Sequence, residues 1–140
     1  MNKIIISLVF AAWSLAAQAG VEITGAWARA TAPGQTVGAA FMTLKSSDNA
    51  SLESAASPIA KSVQIHRMSM DNGVMKMRML DSLPLPAGKI VKLDPDGLHL
   101  MLLGLKRPLK EGDKIEISLT LKDKLGKQTI QKISLPVKAD

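Results

Sequence analysis

The chain contains no cysteine and no tyrosine, and only two histidines. Without cysteine there is no disulfide, no thiolate metal ligand and no sulfur nucleophile. Stability must then come from a packed core. Aromatic side chains are nearly as scarce: beyond residue 19 there are only Trp27 and Phe41, too few to stack nucleic-acid bases. No long amphipathic helical pattern is present. The only long apolar run lies at the start, where residues 4–17 follow Lys3 and precede Ala17-Gln18-Ala19. A positive start, a short apolar stretch and a small-x-small site read as a secretory signal peptide, residues 1–19. The run is too short for a spanning helix. Cleavage would leave residues 20–140 as one domain, expected to need no membrane insertion.

The formal net charge is +6 at pH 7. An exported protein this poor in aromatics is not expected to bind nucleic acid. The basic residues of the last forty or so positions are interleaved with acids, as on a solvated surface. Docking to an acidic partner is the second use of such a charge.

Prolines and glycines divide the remainder into short apolar segments. Residues 21–23 and 26–29 read as short strands, and residues 37–44, apolar on both faces, as a central strand. Residues 52–55 form a weaker strand. In residues 61–68, Val63 and Ile65 share one face while Gln64, His66 and Met68 share the other. Asp71-Asn72-Gly73 marks a hairpin. In residues 74–80, Met75, Met77 and Met79 alternate with Lys76 and Arg78. Residues 83–88, with Pro84 and Pro86, read as a loop. Residues 89–93 read as a strand ended by the Asp94-Pro95-Asp96-Gly97 turn. Leu98, Leu100 and Leu102 face one way, His99 and Met101 the other. Ile115, Ile117, Leu119 and Leu121 give the cleanest alternation. Ile133, Leu135 and Val137 alternate last; Ile130, out of phase with them, predicts a bulge or a strand start near Gln131. About eight or nine strands with frequent turns indicate an all-β sandwich or barrel.

Both histidines and six of the eight methionines fall within residues 66–101. His99 and Met101, two apart on a strand, place imidazole and thioether side by side on the face away from the leucines. His66 also looks away from its strand's core face, and Met77 across the hairpin could complete a set. Thioether sulfur and neutral imidazole suit Cu(I) better than Zn(II) or oxygen-seeking ions. A structural zinc site would ask for cysteine or more histidine, and Asp94 and Asp96 do not continue into a calcium loop. Against this stands methionine's ordinary use as core filler. Met42, Met75 and Met79 are expected in the core. Met77 shares a face with Met75 and Met79, and Met68 and Met70 are left open between hairpin surface, core edge and spare ligands.

The spacing of the candidate ligands resembles that of the periplasmic copper chaperone family written PCu(A)C. In that family a His is followed by ten residues and a Met, then by twenty-one residues and His-x-Met. Here His66, Met77 and His99-Leu100-Met101 fall at those intervals. Ala26-Trp27-Ala28-Arg29, Leu85-Pro86-Ala87-Gly88 and Gly97-Leu98-His99-Leu100-Met101-Leu102 are similar to family segments as well. The resemblance implies a cupredoxin-like Greek-key β-sandwich binding one Cu(I) near its surface through His66, Met77, His99 and Met101. It further implies a monomeric, non-enzymatic metallochaperone of the periplasm. Such a protein would supply copper for cytochrome c oxidase assembly, at the binuclear copper centre. Its partner would be a copper-accepting oxidase subunit or a thioredoxin-fold copper chaperone. Two departures stand out: Arg67 where many members have a second Met, and no His- and Met-rich tail before Asp140. The rival readings are an exported binding module with methionines in its core or interface, and an enzyme. For the latter, no serine sits in a nucleophile-elbow glycine pattern and no acid is placed to orient either histidine.

Overall fold

A computed structural model describes residues 20–139; the signal-peptide segment, residues 1–19, lies outside the described residues. Ten strands form among them, and no helix: β1 (Val21–Arg29), β2 (Val37–Ser46), β3 (Ala50–Ala56), β4 (Ala60–Asp71), β5 (Val74–Leu80), β6 (Leu83–Leu85), β7 (Ile90–Leu93), β8 (Leu98–Leu105), β9 (Lys114–Asp123) and β10 (Gln128–Lys138). The expected all-β sandwich is the fold that forms.

The strands are hydrogen-bonded in the order β5-β4-β8-β7-β2-β1-β10-β9-β3-β6, with β8 also on β2 and β3 also on β4. The β3–β4 pairing, Ala55 opposite Val63, brings the sheet back on itself and encloses one core. Inward positions fill it by alternation: Ala40, Met42 and Leu44 from β2, Leu100 and Leu102 from β8, Ile117 and Leu119 from β9, Leu135 and Val137 from β10. The leucine face read from residues 98–103 is therefore the core face, and His99 and Met101 lie on its reverse.

The two segments read as separate strands at the start are one strand, β1. Its register against β2 slips between Thr24 and Trp27, so the polar break is a bulge rather than an end. Residues 83–85, expected in a loop, form β6 on β3. Leu83 and Leu85 are buried while Pro84 points outward on an edge strand, where a missing N–H is tolerated. Of the bulge or strand start expected near Gln131, there is no bulge, and the strand starts at Gln128. β10 pairs with β9 in unbroken register from Gln128 to Pro136. Ile130 simply points to solvent, 68% exposed.

β4 is longer than its partner on one side. Its pairing with β8 ends at Arg67 opposite Leu98. Met68 still donates its N–H to the Gly97 carbonyl at 3.1 Å; from Ser69 to Asp71 β4 pairs with β5 alone, through the two-residue turn Asn72-Gly73. Both turn residues have positive φ, 49° and 77°, which is why an Asn-Gly pair stands there. A two-stranded arm thus extends past the closed sheet.

The exposure of β5, an edge strand, corrects the reading of two methionines. Met75 and Met79, expected in the core, are 52% and 57% exposed. Alternation assigned them correctly to one face, but no second layer covers that face. Met42 is in the core, as expected.

Candidate metal centre

The register of β4, β5 and β8 brings the candidate ligands to one face. His66 lies directly opposite His99 across β4 and β8, and Met101 lies opposite Gln64, two positions along. On the other side of β4, Met68 lies opposite Met77. All of these residues share the parity of His66, and the face is the one turned away from the core.

The two imidazole rings sit 5.7 Å apart, centroid to centroid, inclined at 43°. A ring nitrogen bound about 2.0–2.1 Å from a metal ion leaves its ring centroid about 3.2 Å away, so two imidazoles sharing one ion lie about 5–6 Å apart. The observed separation of the pair falls within that range.

Each ring is anchored through one nitrogen and bare at the other. The Nε2–H of His66 donates to Oε1 of Gln64 at 2.9 Å. Its Nδ1 is buried and has no hydrogen-bond partner. A buried acceptor left unsatisfied costs about 1–3 kcal/mol and asks for an explanation. The Nδ1–H of His99 donates to the Gly97 carbonyl at 3.4 Å, leaving Nε2 with the free lone pair. Metal-binding histidines are typically held in this way.

His99 and Met101 line a pocket of about 260 Å³, together with Met77 and Met68. His66 is not in the lining; it stands beside the pocket, half-buried against the His99 ring. His99 itself is only 6% exposed. Its face of the sheet is covered by Phe41, whose ring centroid lies 6.5 Å from that of His99. Phe41 in turn packs against Trp27 at 4.8 Å, and the Arg29 guanidinium lies 5.2 Å from the Phe41 ring. The sequence offered a sign of this wall only in the Ala26-Trp27-Ala28-Arg29 stretch, to which the residue pattern alone assigned no chemistry.

The pocket separates methionines that spacing could not. Met77 lines it, whereas Met75 and Met79, on the same face of the same strand, do not. Met68, left open by the sequence, lines it opposite Met77. Met70 does not reach it and is 65% exposed at the end of the arm. The donor set on the pocket is thus two thioethers, a buried imidazole and a further thioether from Met68, with the second imidazole behind. All are neutral and soft or intermediate, a chemistry that fits Cu(I). Groups of three or more His, Cys, Asp or Glu arranged for a metal are absent among the described residues.

Burial, and next the neighbouring His99 ring, hold the His66 imidazole below its ordinary value of 6.5. The unfolded chain then binds more protons than the folded one between the lowered value and 6.5. Stability without metal is accordingly full above pH 6.5 and falls as pH drops through that window. Thermal melts at pH 7.5 and pH 5 are expected to show a loss at the lower pH that shrinks in His66→Gln. An equal loss in both proteins would remove His66 as its cause.

Residues 21–137 match the family described as "Putative lipoprotein LpqE-like". The chain is 37% identical over 122 residues to "Putative lipoprotein Lxx21020" of Leifsonia xyli subsp. xyli, covering 85% of this chain and 70% of that one. Among solved structures, CuI-DR1885 from Deinococcus radiodurans is 36% identical, with a TM-score of 0.64 over 93% of this chain and 87% of that one. Apo-DR1885 is 35% identical at the same TM-score, over 89% and 83%. The copper-bound PCuAC domain of PmoF2 superposes with a TM-score of 0.69 over 86% and 93%. At 24% identity that last likeness shows the fold alone. With nearly all of its described length matched, the chain belongs to the LpqE-like family, of the PCuAC type.

Proposed function

We propose that this protein is an exported Cu(I) chaperone that holds one ion between His66, Met77, His99 and Met101. The observation that carries this reading is the His66–His99 pair, 5.7 Å apart, with a bare buried Nδ1 beside a pocket lined by Met77 and Met101. The relatives described as copper-bound support it, as does the lipoprotein description of the family for export to the periplasm. The cargo is delivered to a copper-accepting oxidase subunit or a thioredoxin-fold copper chaperone, for the binuclear centre of cytochrome c oxidase. The protein acts as a monomer and catalyses no reaction of its own.

The site's asymmetry suits delivery. His99 is fixed in the wall, whereas Met77 is 47% exposed on an arm held by one neighbouring strand. A thioether carries no charge and takes up no proton when it lets go, so Met77 is the ligand that an incoming partner displaces first. Neutral donors around a monovalent ion also avoid a large deprotonation term in binding.

Competition of Cu(I) between the mature protein and a strong chelator tests the reading. One tightly held equivalent is expected in the wild type, with weaker retention and faster release of that equivalent in Met77→Leu. Identical binding by the variant would remove Met77 from the ligand set. No binding by the wild type would remove the function.

A further inference from the structure

The arm carries more thioethers than one copper site uses. Along its outer-pointing face the cross-strand pairs are His66 opposite Met79, Met68 opposite Met77 and Met70 opposite Met75. Five methionines therefore stand on one face of two strands. The reverse face carries Arg67, Lys76, Arg78 and Asp71, with Lys76 and Asp71 paired at 3.2 Å. The charge is thus confined to one side, and the thioether side is free of it. Single exposed apolar residues are ordinary, but a contiguous patch marks a site of contact or binding. Met70 at 65% and Met75 at 52% exposure lie beyond the principal site, next to the turn.

We propose that Met68, Met70 and Met75 form a second Cu(I) site, built of thioethers alone, at the outer end of the arm. Directly opposed residues on antiparallel strands have Cβ atoms about 4.5–5.5 Å apart. Met70 and Met75 are such a pair, and Met68 is the next residue on the same face of β4. Methionine's flexible, unbranched side chain lets three sulfurs close on one ion without moving the backbone. Three neutral sulfurs and no oxygen or imidazole select a soft monovalent ion over divalent ones. The turn that brings the strands together is fixed by Asn72 and Gly73, so the two strands that carry the thioethers are held side by side before the ion arrives.

Met68 faces both ways along this ladder, towards Met70 at the tip and towards Met77 on the pocket. An ion captured at the tip moves inward by exchanging one thioether at a time. It enters and leaves as Cu(I), and no electron is transferred. Passage to the pocket rests on the chaperone reading above; binding at the tip does not.

The experiment uses the mature chain with Met methyls labelled by carbon-13, titrated with Ag(I) and with Cu(I) under chelator competition. The wild type is expected to bind two equivalents, the second on the order of tenfold or more weakly. Methyl signals of Met70 and Met75 are expected to shift with the second equivalent. Met70→Leu/Met75→Leu, conservative in volume at exposed positions, removes the second equivalent and leaves the first unchanged. His99→Ala/Met101→Leu removes the first and leaves the Met70 and Met75 shifts. A wild type that takes a single equivalent, or a Met70→Leu/Met75→Leu variant that still takes two, overturns the second site. Loss of the first equivalent's dependence on His99 and Met101, with tip binding intact, overturns the chaperone site instead.

Discussion

Replacing His99 with alanine is expected to weaken Cu(I) binding by more than about a hundredfold, since outer-shell partners of a metal already account for about 10–100-fold. The copper-induced rise in melting temperature should vanish with it. Three features concentrate the effect at this residue. It is the buried member of the pair, 6% exposed, so water cannot substitute well for its lost nitrogen. It stands on β8 between a β4 partner, His66, and the covering Phe41 ring. It is also one position from Leu100, which holds the strand in the core. Its only side-chain hydrogen bond among the described residues is a long one of 3.4 Å to Gly97, so the metal-free fold should survive its removal with a modest loss. Isothermal competition on the variant, with melts in the absence and presence of Cu(I), measures both quantities. Met79→Leu is the control. Met79 lies directly opposite His66 but is outside the pocket, and its replacement should change affinity little. A Met79→Leu loss as large as that of His99→Ala would mean that the ligand on β5 has been misassigned.

The contrast between Met77 and Met79 shows where reading from sequence stops. Period-two alternation fixed which residues share a face, and every strand that bears a candidate ligand was recognisable from it. Residue chemistry singles out the two histidines and Met101, in a chain with no cysteine to compete, whereas Met77 is separated from Met75 and Met79 only by the resemblance to the PCu(A)C spacing. Alternation does not say what lies above a face. Methionine's ordinary use as core filler, alternating with Lys76 and Arg78, predicts Met75 and Met79 in the core, yet β5 has a single neighbouring strand and six of its seven residues are exposed among the described residues. His99 presents the opposite case. It points away from the leucines and is still buried, because β2 contributes Phe41 to the same face from far away in sequence. Such long-range cover has no local signature. The bare Nδ1 of His66 is similarly invisible in sequence, since it depends on Gln64, two residues back, claiming the other nitrogen.

The arm joins these observations into one physical picture. The closed sheet supplies stability, and the candidate ligands on its wall, His99 and Met101, come from a strand paired on both sides. Met77 comes from the arm, whose backbone has one paired edge and whose side chains are mostly exposed. Local opening is easiest where few buried contacts resist it. In the proposed chaperone, a rigid half and a yielding half of one ligand set would let an ion be held and then passed on without unfolding the core.

The largest effect on stability is expected from Leu100→Ala. Leu100 is fully buried and lies in register between Ala40 of β2 and Ile65 of β4. Truncating a buried leucine costs about 2–5 kcal/mol, against a total of about 5–15 kcal/mol for a domain. With no disulfide to hold the chain, a fall in melting temperature on the order of 10 °C follows. Binding should behave differently. Leu100 points into the core and its neighbours His99 and Met101 point out, so the folded variant keeps the ligand face. Free Cu(I) at a hundred times its dissociation constant should then restore about 2.7 kcal/mol by mass action, in the variant as in the wild type. Denaturant unfolding with and without copper separates the two terms. A variant that is stable but no longer gains from copper would mean that Leu100 shapes the site rather than anchoring it. The assignment of one β8 face to the core and the other to the ion would then be wrong.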